Sequence, residues 1–170
     1  RTAVIGVGYL GRFHARKYAQ LPGSRLVAVV DAREPARNAV AAELGTRALA
    51  DHRELLGKVD AVSIVTTTPA HFAIAREFLD AGTHVLVEKP ITETVDQARE
   101  LVDLARRRGR VLQVGHLERF NAAVLAAEAH LAEPRFIECQ RLAPFKERGT
   151  DVNVVLDLMI HDIDIVQTIV

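Results

Sequence analysis

Short runs of β-branched and aliphatic residues alternate with stretches of helical periodicity from the first residues onward. Ala3–Val7 predicts a strand and Leu10–Gln20 a helix. Leu26–Val30 predicts a second strand, followed by a helix over Pro35–Leu44 that Gly45 closes. A weaker unit lies around Ala48–Leu56, and Ala61–Thr66 reads as a strand buried on both faces. Helix His71–Ala81 stops at Gly82, and His84–Val87 is the next strand. Thr94 and Gln97 are spaced as a capping box, opening a helix with Val95, Ala98, Val102 and Ala105 on one face. Arg106-Arg107-Arg108-Gly109 ends it with cations at the negative helix end and a C-cap glycine, and Val111–Val114 supplies a sixth strand. Alternation of this kind predicts βαβ units and an α/β class, with a doubly wound parallel sheet over residues 1–116.

Beyond Gly115 the rhythm changes. Leu117–Leu131 predicts an Ala-rich helix, Phe136–Leu142 a strand and Asp151–Val170 a strongly apolar helix. One strand and two helices bury too little to stand alone, so residues 117–170 are expected to open an α+β substrate and oligomerisation domain that the chain does not complete. Arg1 stands where a start Met would be, so the expected beginning lies upstream. On the last helix Asn153, Asp157, His161, Asp164 and Thr168 fall within an arc of roughly 80° at the α-helical angle. No Lys, Glu or Arg lies between Asp151 and Val170, so this stripe suits a sheltered pocket wall. A narrow wet seam on a core helix is the alternative.

Composition removes several classes. The chain has 170 residues, with 22 Lys and Arg against 22 Asp and Glu, so no excess of charge points to nucleic acid or an anionic membrane. Cys139 is the only cysteine, which excludes an intramolecular disulfide and argues against a Cys metal site. No apolar run is long enough to span a bilayer and no signal peptide is visible, so a cytoplasmic protein is expected.

Gly6-Val7-Gly8-Tyr9-Leu10-Gly11 is a G-x-G-x-x-G between a predicted strand and helix. The first glycine suits a tight turn, the second lets the backbone approach a pyrophosphate, and the third lets helix and strand pack closely. The helix start then offers N–H groups and partial positive charge to the phosphates. Asp31 ends the second strand twenty positions after Gly11, where a carboxylate binds the adenosine ribose hydroxyls and repels a 2′-phosphate. This is the pattern of a Rossmann domain holding NAD rather than NADP, although Arg33 is placed to pair with such a phosphate. A helix N-cap is the plainer role for Asp31.

From Glu88-Lys89-Pro90 onward the chain resembles the Gfo/Idh/MocA family of NAD(P)-dependent sugar and cyclitol dehydrogenases. The resemblance includes the glycine loop, Gly115-His116 after the sixth strand, and Asp157-Leu-Met-Ile-His161. Val114–Asn121 and Asp157–Asp164 look most like the branch acting on nucleotide sugars, UDP-N-acetylglucosamine among them. The resemblance implies a homo-oligomer built through the sheet of the second domain. It also implies cofactor contacts from Tyr9, Leu10, Thr66, Thr67, His71 and Glu88. Two departures stand out. Thr66-Thr67 replaces the usual Thr-Pro, with proline displaced to Pro69, and Asn121-Ala122 replaces Asn-Pro. For His71, a packed residue under the loop is an equal alternative.

Oxidising a secondary alcohol needs a base for the hydroxyl proton while hydride leaves. Lys89 follows a strand at its carboxyl end, where open α/β sheets bind ligands, and its ammonium suits a developing alkoxide. Asp157 and His161, four apart, share a helix face; His161 is a natural proton acceptor and Asp157 orients it or holds a substrate hydroxyl. The expected catalytic set is therefore Lys89, His161 and Asp157, with Arg119 and Asn121 as further substrate contacts. Zinc is the rival for the Asp/His pair, but no further ligand set accompanies it. His14, His52, His84 and His130 are expected to be surface or packing residues. The reading is an NAD-dependent dehydrogenase of a sugar ring hydroxyl. An NAD-binding sensor without catalysis, an inositol or simple-sugar dehydrogenase, and an interaction protein with a vestigial Rossmann fold stand as alternatives.

Overall fold

The computed structural model describes residues 1–128, 130–131, 133–142 and 153–170. It divides into two compact units, Arg1–Val114 and Gly115–Val170.

In the first unit six strands form one parallel sheet: β1 (Thr2–Ile5), β2 (Leu26–Val30), β3 (Arg47–Leu49), β4 (Ala61–Ile64), β5 (His84–Val87) and β6 (Leu112–Val114), in the order β3-β2-β1-β4-β5-β6. The helices between them are α1 (Gly11–Gln20), α2 (Glu34–Leu44), α3 (Thr68–Asp80) and α4 (Val95–Arg108). A short 3-10 turn, His52–Leu55, follows β3. Successive strand residues serve opposite faces. Ala3, Ile5, Ala28 and Val30 pack with Phe78, Leu79 and Leu101, whereas Val4 and Val29 pack with Ala15, Val40 and Ala41. A sheet covered on both faces explains the near-continuous apolar strands.

The predicted caps form. Thr94 accepts from the Gln97 N–H while the Gln97 side chain accepts from the Thr94 N–H, and Gly109 closes α4 in the left-handed region. The chain order reverses between β1 and β4, which opens a crevice at the carboxyl ends of those strands.

In the second unit the elements differ from expectation. Instead of one helix over Leu117–Leu131, a 3-10 turn covers Leu117–Phe120, and α5 (Ala122–Glu128) begins after Asn121. The reason is Asn121, whose extended backbone interrupts the helix and whose Oδ1 accepts from the Ala123 N–H at 3.0 Å. Phe136–Leu142 forms no strand; a strand needs a ladder partner, and none pairs with it among the described residues. Of the predicted final helix, Asp151 and Val152 lie outside the described residues. The rest begins with a π-helical segment, Val155–Met159, that runs into α6 (Ile160–Ile169). A π segment turns less per residue than the roughly 100° assumed for the polar stripe. Along the stripe Asp164 is buried, Asp157 and His161 are half-buried, and Asn153 and Thr168 are exposed.

Candidate functional site

The carboxyl ends of β1, β2, β4 and β5 bring together the glycine loop, Asp31, Thr66-Thr67 and Glu88-Lys89. Gly6 makes the turn off β1 with φ +85°, and a Cβ there would stand 2.6 Å from the Val65 carbonyl oxygen. A Cβ on Gly11 would overlap the Gly6 carbonyl, so helix and loop touch there as backbone. Gly8 is different: the nearest atom to its Cβ would be Arg33 Nη2 at 3.4 Å. The start of α1 has no side-chain cap, which leaves its N–H end to an anion. Tyr9 is exposed and meets Phe13 edge to face at 5.6 Å, with the Arg12 guanidinium over both rings; Leu10 is exposed.

Asp31 sits at the end of β2 with its Oδ2 accepting from the Val7 N–H at 3.0 Å and its Oδ1 from the Arg33 N–H at 2.9 Å. The Arg33 guanidinium adds a longer contact of 3.3 Å from its own exposed position. Burial pushes the carboxyl up, but the hydrogen bonds from Arg33 and Val7 together outweigh it and hold Asp31 below the usual aspartate value.

Thr66 is half-buried and Thr67 exposed, the latter preceding α3, where Thr68-Pro69 starts the helix. His71 is 1% exposed. Its ring nitrogens stand 2.9 Å from the Pro90 carbonyl and 3.0 Å from that of Thr66, tying the turn after β4 to the turn after β5. That places the imidazole inside the protein, beneath the loop.

Glu88 is buried and its Oε2 accepts from the Lys89 N–H at 3.3 Å. Lys89 itself is half-buried, and its bond to Pro90 is cis. Glu88 Oε1 is enclosed with no hydrogen-bond donor aimed at it among the described residues. Its neighbour is His14, whose Nε2 stands 3.1 Å away. His14 Nδ1 in turn lies 3.3 Å from Ser63 Oγ, which donates to the Tyr18 hydroxyl at 2.8 Å. The sequence offered little sign of this group. Ser63 in an otherwise apolar strand was the one usable signal. A glycine loop open at Gly8, an uncapped helix start, a ribose-spaced carboxylate and an orphaned buried oxygen fit a dinucleotide.

In the second unit Arg119 closes a two-bonded fork on Asp164, Nε to Oδ2 at 3.0 Å and Nη2 to Oδ1. Asp164 is buried, and His116 Nδ1 lies 3.8 Å from it. The expected substrate contacts Arg119 and Asn121 thus hold, respectively, a buried carboxylate and the cap of α5. Asp157 lies in the π segment and His161 in α6, both half-buried. Asn153 accepts from the Leu156 N–H and Thr168 donates to the Ile165 carbonyl, so both ends of the polar stripe serve their own backbone. Among the described residues no three His, Cys, Asp or Glu side chains group to hold a metal ion, and no helix is long and apolar enough to cross a membrane.

Comparison with known proteins agrees with this geometry. The family described as an oxidoreductase family with an NAD-binding Rossmann fold, Gfo/Idh/MocA, matches residues 1–116. UDP-N-acetylglucosamine 3-dehydrogenase of Acidithiobacillus ferrooxidans is 48% identical over 97% of the chain and 52% of its own length. An inositol 2-dehydrogenase/D-chiro-inositol 3-dehydrogenase of Shouchella clausii is 34% identical over 97% of the chain and 51% of its own. The solved structure of the Acidithiobacillus enzyme, GnnA, superposes with a TM-score of 0.91 at 47% identity over 99% of the chain and 54% of that one. GenD2 of gentamicin A biosynthesis, solved with NAD, superposes at 0.75 with 32% identity over 78% and 38%. The chain spans about half the length of the curated relatives it matches.

Proposed function

This chain belongs to the Gfo/Idh/MocA oxidoreductase family, and we propose that it forms the coenzyme-binding part, and part of the substrate domain, of an NAD-dependent sugar dehydrogenase. The observation that carries this is the gathering of the glycine loop, Asp31 and Glu88-Lys89 on one sheet edge at the switch point. A nucleotide sugar such as UDP-N-acetylglucosamine is the proposed substrate, supported by the relative that is 48% identical.

Bound NAD would supply the hydride acceptor. The loop around Gly8 and the start of α1 present N–H groups to the pyrophosphate, and Asp31 accepts the adenosine ribose hydroxyls. The same carboxylate disfavours the 2′-phosphate of NADP. Glu88 Oε1, buried without an aligned donor, accepts a hydroxyl or amide proton at the nicotinamide end. Lys89 donates a hydrogen bond to the reacting oxygen as its proton departs, so that loss of H⁺ from oxygen and hydride from carbon leaves a ketone. We assign His161 as the acceptor of the hydroxyl proton and Asp157, four positions before it, as the carboxylate that orients it or holds a substrate hydroxyl. Residues 117–170 are proposed to open the substrate domain.

The test is a turnover screen of the protein carrying this chain, with NAD, against UDP-N-acetylglucosamine, myo-inositol and glucose. Reduction of NAD with the nucleotide sugar is expected, and turnover of inositol alone would shift the assignment to a cyclitol. Lys89→Ala should keep NADH affinity while kcat falls about 10²-fold or more. Normal turnover by that variant would remove Lys89 from the mechanism.

A further inference from the structure

We propose that His14 is a positioning residue that sets the Glu88 carboxylate for the nicotinamide half of the coenzyme. The inference rests on the coenzyme reading above. Four polar side chains from three places meet where an apolar interior suffices: His14 and Tyr18 from α1, Ser63 from β4, and Glu88 after β5. Ser63 is 0% exposed and Glu88 6%. Burying such groups costs free energy unless each finds a partner, and a packed aliphatic cluster would avoid that cost.

The arrangement has a direction. Tyr18 and Ser63 hold the imidazole from its Nδ1 side, which leaves Nε2 facing Glu88 Oε1 at 3.1 Å. Glu88 Oε2 is engaged by the Lys89 N–H. The carboxylate thereby has Oε2 bonded by its own chain and Oε1 in close contact with a ring tied to β4 through Ser63. His14 fixes the plane of the carboxyl group. Because the contact is not aligned as a hydrogen bond, a lone pair of Oε1 is still available to a ligand donor. His14 acts through Glu88 and touches no reacting atom.

ADP has the adenosine and pyrophosphate of NADH but neither the second ribose nor the nicotinamide, so the two ligands separate positioning at Glu88 from general damage to the fold. Affinities of NADH and ADP are measured by calorimetry for wild type, His14→Phe and His14→Gln. His14→Phe keeps ring volume without nitrogens; His14→Gln keeps a donor near the Nε2 place. NADH should weaken about tenfold in His14→Phe, or about 1.4 kcal/mol, while ADP changes by less than about twofold. His14→Gln should restore most of the NADH affinity, and in a Glu88→Gln background His14→Phe should add little. Equal weakening of both ligands, or of neither, overturns the positioning role while leaving the coenzyme reading intact. A wild-type protein that binds neither ligand overturns the coenzyme reading itself. Should His14→Phe not fold, Ser63→Ala carries the same comparison: a loss selective for NADH supports the role and an unselective one overturns it.

Discussion

One methyl group, placed in turn on the glycines of the first loop, should have opposite consequences for folding and for binding. On Gly11 the added Cβ overlaps the Gly6 carbonyl oxygen, and on Gly6 it stands 2.6 Å from the Val65 carbonyl oxygen at φ +85°. Both collisions are with backbone, which cannot rotate away as a side chain does. Gly11→Ala should therefore cost about 1–3 kcal/mol or more, the range for forcing extra atoms into a packed region. Gly8→Ala meets only the end of the Arg33 side chain at 3.4 Å, and Gly8 is not in the left-handed region. With no native strain, the alanine restricts the unfolded chain and should stabilise by about 0.4–1 kcal/mol.

Binding should run the other way. If the pyrophosphate lies against the Gly8 backbone, the methyl occupies its approach and breaks at least one charge-assisted hydrogen bond. Such a bond is worth about 1.5–3 kcal/mol, so NAD affinity should drop at least about tenfold. Thermal unfolding followed by circular dichroism reads the first effect and calorimetric titration with NAD the second. A Gly8→Ala protein that melts at or above wild type and binds NAD with wild-type affinity would show that the loop does not hold the pyrophosphate.

Asp31 should make NAD bind about tenfold or more tightly than NADP, a difference of about 1.4 kcal/mol, and Asp31→Ser should relax that preference; equal affinities in wild type would hand control to Arg33. The same carboxyl is held below its unfolded value of about 3.9, so its stabilising contribution is present above about pH 4 and lost as pH falls through the lower folded value. Acid unfolding of Asp31→Asn should accordingly be less steep there than that of wild type. Arg119→Ala should act on stability: it leaves Asp164 buried without its fork and should cost about 1–3 kcal/mol in a thermal melt, and Arg119→Lys should recover only part, since an ammonium cannot make the two-bonded contact. An Arg119→Ala protein with an unchanged melt and a raised KM for sugar would restore it as a substrate contact.

What could be read without coordinates follows from where each residue's partners lie. The strands were legible because a sheet covered on both faces demands apolar residues locally, and Thr94–Gln97 because a capping box closes within one turn. The glycine loop and Asp31 were legible because their geometry depends on spacing along a single βαβ unit. His14 was not. Its partners Ser63 and Glu88 are 49 and 74 (88 − 14) positions away, and nothing in the periodicity of α1 or β4 links them. His71 was half legible: its place at the opening of α3 was clear, but its two carbonyl partners come from different loops.

The final helix shows how a correct local observation can still mislead. Its polar residues are short, and no long charged side chain breaks the pattern, which correctly implied shelter for part of the face: Asp164 is 6% exposed. The inference that one continuous stripe lines a pocket required similar shelter along its length, whereas Asn153 and Thr168 at its two ends are exposed. It also ignored what a buried carboxylate requires. Asp164 needed a cation, and the fold brings Arg119 to it from 45 positions away. Asn153 and Thr168 satisfy their own helix backbone. Those three are thus explained by folding alone. Asp157 and His161, proposed above as the acid–base pair, are half-buried, and wild-type kcat in His161→Ala would remove that assignment.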